Sequence, residues 1–157
     1  SDLYSYAQAH HGFATGKVHL FGVSMGAACV LNWALANASK VASVVLVIPA
    51  VDIQDIYDNE RLDRFGLPDP GTAYGNTRPP DDHNPADNAS SFSGLPIATY
   101  YSDNDSVCIK ATVEAFNSAS GAIGVNLGEQ TGFIGIDGHN ALNLPLRDVA
   151  NFFQAHD

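Results

Sequence analysis

The residues best placed to do chemistry lie in a five-residue stretch, Gly22-Val23-Ser24-Met25-Gly26. Its spacing is G-x-S-x-G, with an apolar run before it and an alanine-rich run after it. A strand, a very tight turn and a helix in that order force the serine into a sparsely populated backbone conformation. Glycines on either side remove Cβ atoms that would strike the neighbouring strand and helix. The hydroxyl is then pushed clear of the sheet edge, at a helix N-terminus where backbone N–H groups and the helix dipole favour developing negative charge. The N–H of Met25 is the first candidate oxyanion donor. A serine hydroxyl is a poor nucleophile by itself, so the pattern calls for a histidine base and an acid to orient that base.

On the strand–serine–helix pattern the chain resembles the α/β-hydrolase family, in which the order is nucleophile, acid, histidine. The resemblance implies an acid a few residues beyond a later strand. Pro96 to Ser102 (PIATYYS) matches that strand, Asp105 matches the acid and Val107 the apolar position after it. Asp103 lies in the same loop and is the near alternative. Asp52, at the end of the strand after the nucleophile helix, is another, with a helix cap as its plain structural reading. The histidine that the resemblance implies is His139 in GIDGHNALN, in a loop before the last helix. His10, His11, His19, His83 and His156 compete. His10 and His11 precede the serine, His19 is inside a strand, His83 is in a turn-rich loop and His156 is at the C-terminal end.

The elements that must hold these residues alternate. Leu3 to Phe13 reads as a short helix, Lys17 to Gly22 as a strand and Ser24 to Ala38 as a helix whose Ala28, Leu31, Leu35 and Ala38 form a narrow apolar face. Val41 to Val51 is β-branched without alternation, which fits a parallel strand buried on both sides. Residues 53–94 are an excursion dense in turn-formers (PDPG, NTRPPDD, HNPADNASS), with a short helix near Ile53 to Phe65, and read either as part of a substrate cover or as a surface loop with no role. Leu95 to Ser102 is a third strand, Ser106 to Ala119 a helix using Val107, Thr112, Val113 and Phe116, and Ile123 to Leu127 a fourth strand. A short extended piece, Phe133 to Ile136, leads to a final helix from about Asn143, with Pro145 early in it and Leu146, Val149, Phe152 and Phe153 facing inward. Strand, helix, strand connections of this kind make right-handed βαβ units and an α/β domain with a mostly parallel sheet.

Bulk properties bound the partners. The 157 residues fit one domain, and a hydrophobic content of 45% supplies a core. Seventeen acidic residues against seven basic give a net charge of -10, which argues against nucleic acid or an anionic membrane surface. The most apolar run, Val41 to Val51, is shorter than the about 20 residues a membrane-spanning helix needs, and Pro49 interrupts it. Residues 1–12 lack the basic-then-apolar pattern of a signal peptide, and a processed secreted chain would lack it too, so the compartment is open. Cys29 and Cys108 have no metal-ligand spacing and read as two buried thiols. Asp81, Asp82 and Asp87 read as a solvated acidic loop rather than a cation site.

The resemblance covers nearly the whole chain but not the whole family fold. The family has several strands before the nucleophile strand, and an early loop supplies its second oxyanion donor, often with an HG pair. Here only a helix precedes the nucleophile strand. The one HG pair, His11-Gly12, comes at the end of that helix and not after a strand, so no donor role is carried onto it. The strand at Lys17 to Gly22 would keep one bare edge, so it is expected to need a partner: a missing N-terminal segment or a second chain. The chemistry implied is hydrolysis of a small-molecule carboxylic ester through an acyl-enzyme, with no cofactor and no metal. A serine peptidase or acyltransferase on the same fold stays open. So does a non-catalytic structural module, for example of a viral tail or envelope, that keeps a hydrolase-like shape.

Overall fold

The computed structural model describes residues 4–6, 9, 16–131, 138–140 and 144–157. Four strands, β1 (Val18–Val23), β2 (Val41–Val47), β3 (Ile97–Tyr101) and β4 (Ile123–Asn126), form one sheet in the order 1-2-3-4. Every pairing is parallel, with Val23 opposite Val47, Val47 opposite Tyr100 and Tyr100 opposite Val125. The helices α1 (Met25–Ala36), α2 (Ile53–Asp58), α3 (Lys110–Ser120) and α4 (Leu146–Gln154) connect and flank the strands.

The two-residue period of β2 sends its side chains to opposite layers. Val44 and Leu46 join Ala27, Leu31 and Ala34 of α1 and Val113 and Phe116 of α3 in one cluster. Val45 and Val47 join Ala98, Tyr100 and Val149 of α4 on the other face, with Phe152 and Phe153 packed against them. β2 is therefore buried on both sides, which is why its valines run without polar interruption. β1 differs. Among the described residues it pairs with β2 only, and its Phe21 and Val23 are 46% and 39% exposed.

The element ends depart from the sequence expectation for local reasons. β2 stops at Val47 because Ile48 adopts φ 43, a left-handed conformation that a β-branched residue rarely takes, and Pro49 follows. α1 ends at Ala36, so Ala38 is exposed in a following 3-10 turn instead of extending the apolar face. α2 is a single short helix, and 3-10 turns, beginning with Asp63–Phe65, continue the excursion. α3 begins at Lys110 rather than Ser106, since residues 103–109 are spent on a loop around Asp105. Leu146 opens α4 but is 72% exposed, so it does not face inward; Val149 does. Tyr4, Ser5, Tyr6 and Ala9 are helical, while the rest of the expected first helix, residues Phe133 to Ile136 and Asn143 lie outside the described residues.

Candidate active site

Ser24 sits between β1 and α1 with φ 51 and ψ -124. The strain is held from both sides. Its N–H donates to Val47 O at 3.0 Å, and its carbonyl accepts from Ala27 N at 2.9 Å and Ala50 N at 3.1 Å. The end of β2 thus grips the turn that follows β1. A Cβ on Gly22 would lie 2.7 Å from Val30 Cγ2 and 2.8 Å from Ala27 Cα, so that position must be glycine. A Cβ on Gly26 would meet nothing within 4 Å, so only the first glycine is needed for clearance. Met25 is the first residue of α1, where an N–H has no intrahelical acceptor.

Three side chains that the sequence singled out form one hydrogen-bonded chain. Ser24 Oγ is 2.8 Å from His139 Nε2, and His139 Nδ1 is 2.9 Å from Asp105 Oδ2. The Asp105 side chain is 1% exposed and that of His139 14%. A carboxylate so deeply buried needs donors. Besides the imidazole it has two, since Asp105 Oδ1 accepts the N–H of Val107 at 2.8 Å and of Cys108 at 2.9 Å.

The loops carrying Asp105 and His139 are laced together. Gly138 has φ 72, and a Cβ there would come within 2.3 Å of the Asn104 carbonyl carbon. Its own carbonyl accepts from the buried Ser102 Oγ at 2.7 Å. Asn104 and Gln130 exchange two bonds, Asn104 Nδ2 to Gln130 O at 3.0 Å and Gln130 N to Asn104 Oδ1 at 2.9 Å. Glycine at 138 lets the histidine loop touch the acid loop backbone to backbone.

The competing residues have other partners. Asp103 is exposed and accepts from Lys110 Nζ at 2.6 Å and Asn126 Nδ2 at 2.8 Å; the Lys110 bond holds its carboxyl below the usual range. Asp52 caps α2 through Asp55 N at 3.0 Å. His19 lies 2.8 Å from Ser43 Oγ and 2.7 Å from Asp157 Oδ1, His156 Nδ1 is 2.7 Å from Phe152 O, and His83 packs on the Tyr74 ring. His10 and the His11-Gly12 pair lie outside the described residues. In the acidic loop, Asp81 accepts from Gln54 and Asp87 from Asn84.

The cysteines correct the expectation of two buried thiols. Cys29 follows the buried Ala27 and Ala28 onto the outer side of α1 and is exposed, while Cys108 is buried. The Cys108 sulfur, an Asp105 carboxylate oxygen and a His139 ring nitrogen lie within 4.8 Å of one another. No local spacing announces this trio, because His139 comes from a distant loop; Asp105 and Cys108, three apart, are the only trace of it in the sequence. Beside it, Met25, Phe65 and Tyr74 pack on a cluster of Ala28, Ala50, Ile53, Ile56, Leu62, Val107 and Cys108. The excursion and the residue next to Ser24 thus share one buried cluster, and burial pushes the Tyr74 hydroxyl up.

A family model described as the alpha/beta hydrolase fold matches residues 2–130. No curated protein matches the chain. Among solved structures, a Pyrococcus furiosus esterase is similar with TM-score 0.66 at 13% identity, over 97% of this chain and 59% of its own. Acetyl xylan esterase 1 from a Thermoanaerobacterium species gives 0.60 at 17% identity, over 99% of this chain and 50% of its own. A puromycin hydrolase gives 0.63 at 15%, over 84% of this chain and 21% of its own. The likeness at these identities is one of fold, and the chain spans between a fifth and about three-fifths of those proteins.

Proposed function

The chain belongs to the α/β-hydrolase family, and from that premise we propose that it is a serine hydrolase that cleaves a small carboxylic ester through Ser24, His139 and Asp105. The observation that carries this reading is the continuous relay from a strained, elbow-borne hydroxyl to a buried carboxylate. In the proposed reaction Ser24 Oγ attacks the ester carbonyl carbon while His139 Nε2 takes its proton. Asp105 holds the Nδ1 proton in place and faces the imidazolium that forms. The Met25 N–H stabilises the oxyanion, a contribution of about 10²–10³ in rate for one donor. His139 then returns the proton to the leaving alcohol, and water repeats the sequence on the acyl-enzyme.

In this reading residues 53–94, whose Phe65 and Tyr74 pack on the same buried cluster as Met25, act as the substrate cover. A serine peptidase or acyltransferase would use the same three residues. Among the described residues the outer edge of β1 has no neighbouring strand, and with Phe21 and Val23 exposed this supports a completing partner, either a preceding segment of a longer protein or a second chain, which would also bring the second oxyanion donor. The test is a panel of short-chain p-nitrophenyl esters and peptide p-nitroanilides with the native chain and Ser24→Ala. Ester turnover lost in the variant is expected. Turnover that survives Ser24→Ala would remove Ser24 as the nucleophile, and none with any ester or amide would place the chain among non-catalytic modules of the fold.

A further inference from the structure

We propose that Cys108, Asp105 and His139 form an inhibitory site for a soft divalent cation of the zinc type. The inference that occupancy stops turnover rests on the hydrolase reading above; binding itself does not. The donor set is a thiol, an imidazole and a carboxylate, the set that zinc favours and magnesium and calcium do not. Their ligand atoms already lie within 4.8 Å of one another. Zinc–sulfur and zinc–nitrogen distances of about 2.3 and 2.0 Å put tetrahedral neighbours about 3.5 Å apart, so the side chains need to close by about 1 Å.

The surroundings are those of a built site. Cys108 and Asp105 are 2% and 5% exposed, while His139 opens toward Ser24. The bonds from the Val107 and Cys108 N–H groups fix Asp105 Oδ1, as outer-shell donors do around a ligating carboxylate. Cys108 lies among the apolar side chains of Ala28, Ala50, Ile53, Ile56, Leu62 and Val107, where a thiol without a cation is inert. A bound cation would ionise it.

The balance is explicit. Cys108 releases its proton to solvent, and the His139 Nδ1 proton is replaced by the cation and moves to Nε2. A dication facing one thiolate and one carboxylate leaves no net charge in the buried cluster. Nε2, now an N–H, donates to Ser24 Oγ and cannot accept its proton. The base is consumed without a change in the fold.

Cobalt(II) is the probe, since a thiolate ligand gives it a charge-transfer band in the near ultraviolet. Titrated into the full chain, it should produce a saturable band that zinc abolishes. The band should persist in Cys29→Ser and vanish in Cys108→Ser and His139→Gln. If Cys108→Ser does not fold by circular dichroism, Asp105→Asn and His139→Gln decide. No band, or a band lost in Cys29→Ser and kept in Cys108→Ser, overturns the site. In ester hydrolysis, zinc inhibition should reverse with chelator. It should need at least about 10-fold more metal in Cys108→Ser, each variant scaled to its own metal-free rate. A band without any hydrolysis upholds the cation site and overturns the hydrolase reading, whereas hydrolysis without a band does the reverse.

Discussion

At the scale of single residues, two aspartates in one loop have opposite surroundings. Asp105 is sealed, with three donors on its carboxylate; Asp103 is at the surface with a lysine. Asp105→Asn should therefore lower kcat by about 10⁴ with KM little changed, because the amide favours the wrong imidazole tautomer. Asp103→Asn should leave kcat within about twofold and act on acid stability instead. Its folded carboxyl is depressed, so its contribution is present above the ordinary carboxylate range and lost as pH falls through the lowered value. Denaturant melts across that acid range should show the native chain losing stability that Asp103→Asn never had. Equal kcat losses for the two variants would contradict the assignment.

At the scale of elements, the site depends on how closely loops and helices approach. Gly138→Ala would drive a Cβ into the Asn104 backbone, so hydrolysis should fall at least about 100-fold with the far-ultraviolet dichroism kept, the loop carrying His139 having moved. Leu31 is wholly buried between α1 and the sheet, and Leu31→Ala should cost about 2–5 kcal/mol in urea unfolding. Element order was legible because periodicity and turn residues are local signals: the β-branched run of β2 and the glycine-flanked β1 stand out in the chain. Element ends were less legible, since long-range bonds decide them. Nothing near Ser106 says that the Asp105 carboxylate will claim the N–H groups of Val107 and Cys108 and so delay α3 to Lys110. The exposure of Cys29 and of Leu146 likewise turned on a helix's facing and start, each sensitive to a one-residue shift.

At the scale of the whole molecule, β1 is one of the two edge strands of a parallel sheet among the described residues, pairing with β2 alone, and it leads directly into Ser24. The chain alone should self-associate through this edge. Phe21→Lys should shift sedimentation toward monomer, and unchanged sedimentation would show that the edge is not sticky. How the three candidate residues would meet was legible only through the family's chain order, since no local pattern links 24, 105 and 139; their geometry is a product of the sheet bringing the ends of β1 and β3 side by side with β2 between them. The central claim is that this geometry activates one hydroxyl. The most direct measurement is intact-mass and peptide analysis after treatment with a fluorophosphonate. The account predicts a single adduct on the peptide containing Ser24, absent in Ser24→Ala and slowed by orders of magnitude in His139→Ala. An unmodified Ser24, or labelling at an undiminished rate without His139, would contradict it.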